Sequence, residues 1–188
     1  MIDGFVNIDI IQGCDVRLDL NKDRLPFDDN TVDCVHAHHV LEHLDNYLFA
    51  LKEIWRVLRH EGRLLVEVPY VTLTEYNLVN PFHKRHFNEY SFDFFEAGKL
   101  KGSANENYEV TFKKLWHRFN YVRGFASVPG PLRAWMRRHL FNVVRSISFG
   151  MVAVKTAHAS VAVDARAQRA LQEEFDGCRT GTRMAPWA

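Results

Sequence analysis

The 188-residue chain has little of what marks the specialised protein classes. Its three cysteines, Cys14, Cys34 and Cys178, are too few and too scattered for a disulfide framework or a cysteine-rich zinc site. A reducing, cytoplasmic setting is therefore expected. No uncharged apolar run approaches the roughly 20 residues that span a bilayer. The opening MIDGFVNIDI has neither the basic nor the apolar region of a signal peptide. There is no internal repeat, no RNA-binding motif and no extreme of charge, so nucleic acid is not an expected partner. Acid is missing from one long stretch: between Val110 and Val163 there are nine Lys and Arg and no Asp or Glu.

What remains is the composition of an ordinary globular domain, 47% hydrophobic and 25% charged with a net charge of +1. The near-zero total hides a polarity, because residues 1–60 carry eleven acids against six Lys and Arg. Two differently charged surfaces are implied. The basic half contains a helix expected from Pro131 to Arg145, with Leu132, Trp135, Met136, Leu140, Val143 and Val144 on one side and Arg133, Arg137 and Arg138 on another. Covering one sheet face with arginines in solvent is the simplest use for it. An acidic acceptor or peripheral contact with an anionic membrane are the alternatives.

Periodicity gives the order of elements. FVNIDI (5–10), DVRLDL (15–20) and VDCVHA (32–37) read as strands. Leu48, Leu51, Ile54, Trp55 and Leu58 recur at helical spacing after an Asp45 or Asn46 cap, and Gly62 is expected to stop that helix. RLLVEVPY (63–70) is a strand apolar enough to be buried on both faces. Residues 71–92 read as loop, SFDFFEAGKL (91–100) as a short helix capped by Ser91, and 110–119 and 146–155 as further strands. The result is an α/β domain over 1–156, with a mainly parallel sheet and helices on both faces, followed by a poorly packed tail over 157–188.

In such sheets, ligands sit beyond the carboxyl ends of the strands. Those ends are Asp9-Ile10, Asp19-Leu20, Ala37-His38-His39 and Pro69-Tyr70. Asp9 is placed to accept both hydroxyls of a ribose, and Asp19 to accept from an adenine amino group. The third end opens the run VHAHHVLEHL, in which His39, Glu42 and His43 match H-x-x-E-H, the inverted zinc-peptidase motif.

A second reading covers more of the chain. "NIDI … LDLNKDRLPFDDNTVDCVHAHHVLEHL … LKEIWRVLRHEGRLLVEVP" resembles the class I S-adenosylmethionine-dependent methyltransferases of the type 11 kind over roughly residues 4–70. Leu25-Pro26-Phe27, Asp33, Val40-Leu41-Glu42-His43, Glu53, Arg56-Val57-Leu58 and Gly62 carry the match. "NPFHKRHFNEYSFDFF" (80–95) resembles a stretch found in a bacterial branch associated with surface-polysaccharide synthesis, through Asn80-Pro81, His83, Arg85 and Phe87.

The resemblance implies a Rossmann-like fold and S-adenosylmethionine as cofactor, held by Asp9, Ile10, Asp19, Leu20, Ala37, His38 and His39. It implies methyl transfer to a small-molecule or carbohydrate acceptor. His83, His86 and His38 are the expected acid/base groups, with Tyr70, Phe82 and Arg85 on the acceptor side. No metal is expected. The family's glycine-rich loop, which follows its first strand, has no counterpart here, so that strand and loop are expected to be missing and the edges of both neighbouring strands exposed. A catalytically inactive relative and a zinc hydrolase built on His39, Glu42 and His43 stay open as alternatives.

Overall fold

The computed structural model describes residues 4–96, Lys99, 108–155 and 165–181. Strands β1 (Ile8–Asp9) and β2 (Val16–Arg17) pair in parallel as a small ribbon. The main sheet contains β3 (Val32–His38), β4 (Leu58–Pro69), β5 (Phe112–Tyr121) and β6 (Val144–Ala153), in the spatial order β3-β4-β6-β5. The β3–β4 ladder is parallel, and both ladders of β6 are antiparallel. Among the described residues β3 is an edge strand, and β1 faces it without pairing to it.

Helix α1 (Tyr47–Val57) lies on one face of this sheet. Its Leu51 and Ile54 pack with Leu64, Val66 and Val68 of β4, the inward set of an alternating strand. The Glu53-x-x-Arg56 pair stitches α1 to the LPF loop. Arg56 donates to the carbonyls of Leu25 and Phe27, and Glu53 accepts from the Leu25 amide. The helix ends at Val57 rather than at Gly62. Residues 59–62 instead bulge within β4, where the register against β3 shifts between Val32 and Cys34. Gly62 belongs there because a Cβ would meet the Arg59 carbonyl oxygen at 2.8 Å.

The segment from 71 to 92, expected to be loop, contains a single turn, α2 (Thr74–Asn77). Only Asp93–Phe95 of the expected 91–100 helix is helical, as a 3-10 turn, and part of that expectation lies outside the described residues. The basic helix, α3 (Gly130–His139), is shorter than expected and buries no residue. Val143 and Val144 are buried at the start of β6, not on its apolar side, and Leu132 and Trp135 are each 52% exposed. Arg137 turns inward, its guanidinium 4.0 Å from the centre of the Phe119 ring and paired with Glu89. The arginine stem and the aromatic ring cover each other, so the polar side of α3 supplies a sheet-facing contact.

The largest departure is at the C-terminal end. The stretch expected to be a loose tail contains α4 (Ala165–Gly181), which packs on the second face of the sheet. Leu171 and Phe175 join Leu65 of β4 and Trp116 of β5 in a second apolar cluster. Two ion pairs, Arg63–Glu174 and Arg118–Asp176, flank it. The apolar positions at 171, 175 and 178 recur at helical spacing in an otherwise Ala-, Arg- and Gln-rich sequence, a stripe too narrow to stand out.

Candidate active site

A cavity of about 750 Å³ opens between β1 and β3 and runs along the unpaired edge of β3 from Val32 to His38, an exposed edge of the kind expected from the sequence. Asp9, at the end of β1, and Ala37 and His38, at the end of β3, face it from opposite sides, with Leu20 nearby. Asp9 is set by its own turn, since its Oδ1 accepts from the amides of Ile10 and Ile11 at 2.7 and 3.3 Å. Ile10, Asp19 and His39 are not part of the lining. Ile10 is 57% exposed. Asp19 closes a turn instead: its carboxylate accepts from the Asn21 amide and pairs with Lys22.

His38 stands beside a buried acid. Its Nε2 is 3.8 Å from Oε2 of Glu67, which is 3% exposed. Glu67 is held on its other oxygen by Ser146 Oγ at 2.6 Å and Asn120 Nδ2 at 3.3 Å. A fixed carboxylate beside an imidazole orients the ring. Glu67 was a missed residue, although its signal was present as one acid within an otherwise apolar strand. Two residues earlier on the same face of β3, His36 packs edge-on to Phe175 of α4. Burial pushes its pKa down to about 4, with a smaller contribution from His38.

The remaining histidines gather elsewhere. His39 has a left-handed backbone (φ 53°), and a 3-10 turn, Leu41–His43, follows. The H-x-x-E-H run therefore does not lie on an α-helix. Its two histidines do not share one helical face, as a peptidase zinc site of that motif needs. His39 Nδ1 meets Glu42 Oε1 at 3.1 Å, and the ring of His43 stands 4.8 Å from that of His83. The loop carrying His83 is tied down by the amides of Lys84 and Arg85, which donate to the Glu42 carbonyl. His86 is exposed.

The three acceptor-side expectations separate. Tyr70 is buried and donates to Glu89 at 2.8 Å, Phe82 is 68% exposed, and Arg85 donates to the Asp45 carbonyl while lying over the Tyr47 ring. Burial of Tyr70 follows from its position at the end of β4, where it stacks edge-on with Phe119.

Residues 11–66 match a family model described as a methyltransferase domain. Solved structures agree on the fold. A S-adenosylmethionine-dependent methyltransferase from Archaeoglobus fulgidus superposes with a TM-score of 0.53 at 14% identity, covering 77% of this chain and 74% of that one. The chain is similar to S-adenosylmethionine-dependent methyltransferases, in sequence over residues 11–66 to a methyltransferase domain and in fold to the solved structure. The Rossmann-like α/β architecture expected from the resemblance is the architecture found. The ubiquinone/menaquinone biosynthesis C-methyltransferase of Hahella chejuensis is 34% identical over 110 residues, 58% of this chain and 39% of that protein. An uncharacterized protein of Methanocaldococcus jannaschii is 57% identical over 44 residues, 23% of this chain and 19% of its own length. The chain thus spans well under half of each of these two relatives.

The family's cofactor is S-adenosylmethionine. Of the residues expected to hold it, Asp9, Leu20, Ala37 and His38 line the cavity. No glycine cradle for its amino-acid end is found among the described residues. Gly4 and Gly13 near the cavity have open space around them, and the crowded glycines, Gly62 and Gly150, serve packing.

Proposed function

We propose that this chain forms the cofactor- and acceptor-facing part of a methyltransferase that uses S-adenosylmethionine to methylate a hydroxyl of a small-molecule or carbohydrate acceptor. The observation that carries the reading is the placement of Asp9 opposite Ala37 and His38 across one cavity, in a chain whose residues 11–66 match a methyltransferase domain. The bound cofactor would supply an electrophilic methyl group together with its leaving group, so the protein's work is positioning and water exclusion.

Asp9 would hold the ribose hydroxyls with the carboxylate oxygen that its own turn leaves free. The apolar lining from Leu20 and Ala37 would exclude water from the nucleoside. His38, held by Glu67, is the base for the acceptor hydroxyl, because it lines the cavity while His86 is exposed and His83 is engaged with His43 and Asn77. A role in surface-polysaccharide synthesis rests on the 80–95 resemblance alone.

Calorimetric titration of S-adenosylhomocysteine into the chain, with EDTA present, tests the reading. Saturable one-to-one binding that Asp9→Ala abolishes is the expected result. A folded protein that takes up no ligand would favour the inactive-relative alternative.

A further inference from the structure

Of the histidines and the acid in the run, His39, Glu42 and His43 do not line the cavity, and the last two converge with His83. Glu42, His43 and His83 each offer a ligand atom, all within 4.8 Å of one another. In each residue one polar atom is already committed, which decides what the remaining one carries. His43 Nδ1 lies 3.2 Å from the Phe82 carbonyl, which can only accept, so Nδ1 bears the hydrogen and Nε2 a bare lone pair. Asn77 Nδ2 donates to the carbonyls of Tyr70 and Val71, which fixes its Oδ1 as an acceptor. His83 Nδ1, 3.3 Å from that Oδ1, is therefore the protonated nitrogen too.

Glu42 supplies the independent pointer. It is 1% exposed, its Oε1 meets His39, and its Oε2 is buried without a hydrogen-bond partner among the described residues. A buried carboxylate oxygen left unpaired costs free energy comparable to a lost charged hydrogen bond, so a ligand there is the natural explanation. The neighbouring trio of His38, His39 and Glu67 also offers atoms within 4.8 Å. In that trio His39 Nδ1 is already engaged by Glu42.

We propose that Glu42, His43 and His83 form a binding site for one divalent transition-metal ion of the zinc class, with His39, Asn77 and the Phe82 carbonyl as the groups that orient the three ligands. Two imidazoles and one carboxylate are the donor set that zinc accepts in sites with an open fourth position, where water or an oxygen ligand completes the shell. The two lone pairs and the carboxylate come from segments forty residues apart, and the Lys84 and Arg85 amides on the Glu42 carbonyl hold those segments together before any ion arrives. The site does not depend on the methyl-transfer reading, and the EDTA in the cofactor titration keeps the two tests separate.

The test is titration of Zn2+ into tag-free, chelator-stripped protein, read by calorimetry and by the visible spectrum of the Co2+-loaded form. One equivalent is expected to bind and to raise the melting temperature, as any ligand specific for the folded state does. His43→Ala, His83→Ala and Glu42→Gln should each lower affinity by at least about tenfold, the smallest loss typical even for outer-shell changes. His139→Ala, in α3 and outside the trio, should leave binding unchanged. The two histidine variants alter partly exposed side chains, so a folding failure of the Glu42 variant leaves the test intact. No stoichiometric binding by the folded wild-type protein overturns the proposal, as does binding that survives both histidine changes.

Discussion

Phe175→Ala probes whether α4 is a structural part of the domain. Its side chain is fully buried, edge-on to Trp116 at 5.6 Å and to His36 at 5.5 Å between ring centroids, with the Arg118 guanidinium 5.5 Å away. Truncating such a ring typically costs about 3–5 kcal/mol. Here a ceiling applies, because the helix can leave the sheet once its docking energy is spent. Beyond Phe175, docking rests on Leu171, Cys178 and two flanking ion pairs, each exposed pair adding at most about 1 kcal/mol. A loss near 3 kcal/mol is therefore expected. Urea unfolding reads it: an unchanged slope means the helix stays docked over a cavity, whereas a shallower slope means it has already left. His36 reports the same event independently. Its pKa of about 4, imposed first by burial, should climb toward 6.5 once water reaches the ring, followed by the imidazole resonances across pH. A loss under about 1 kcal/mol with the His36 pKa still near 4 would refute the claim that α4 dries this face.

Other consequences follow from the same contacts. In the wild-type protein the low His36 pKa makes the unfolded chain bind the extra proton first, so stability is full above about pH 6.5 and falls through pH 4 by about 3 kcal/mol, measurable as the pH dependence of the urea midpoint. Gly150→Ala places a Cβ against the Trp116 indole and Leu171, and should cost about 1–3 kcal/mol and loosen α4, seen as faster amide exchange there. Arg137→Ala removes one partner of the half-buried Glu89, whose carboxyl is pulled upward by burial but held lower overall by a backbone hydrogen bond, Tyr70 and Arg137, and should cost about 1–3 kcal/mol in thermal or chemical unfolding. Glu67→Gln should leave S-adenosylhomocysteine affinity within about twofold while displacing the acid limb of any methyl-transfer pH profile, since it acts through His38.

Sequence periodicity served well where one face of an element is buried and the other wet. α1 and the inner half of β4 show this, with Leu51 and Ile54 meeting Leu64, Val66 and Val68. It misled where a side chain has two natures. Arg137 was assigned to solvent by its charge, yet its stem lies on Phe119 and its guanidinium pairs with Glu89. In α4 the three apolar positions are diluted by alanine, arginine and glutamine, and only the apolar surface of Trp116 and Leu65 that α4 covers reveals what they are for. Neither partner is local in sequence, so no window of residues contains the information.

The histidine run shows how far a motif can be read before geometry is needed. Strand alternation sends His36 and His38 to the α4 side of β3 and Ala37 to the α1 side, which VDCVHA already implies. Its continuation past the strand is not implied. A left-handed residue at His39 breaks the alternation, and a 3-10 turn then carries Glu42 inward and His43 toward a loop forty residues on. Four histidines close in sequence thus enter three environments: one dried by α4, one facing the cavity beside Glu67, and two around Glu42. The spacing H-x-x-E-H fits a helical metal site only if the backbone is helical there, and here it is not. The partner that completes the trio around Glu42 is His83, whose position was visible only as part of a family resemblance. The Lys84 and Arg85 amides, tied to the Glu42 carbonyl, bring the two together, and that tie, between main-chain groups, leaves no trace in side-chain identity.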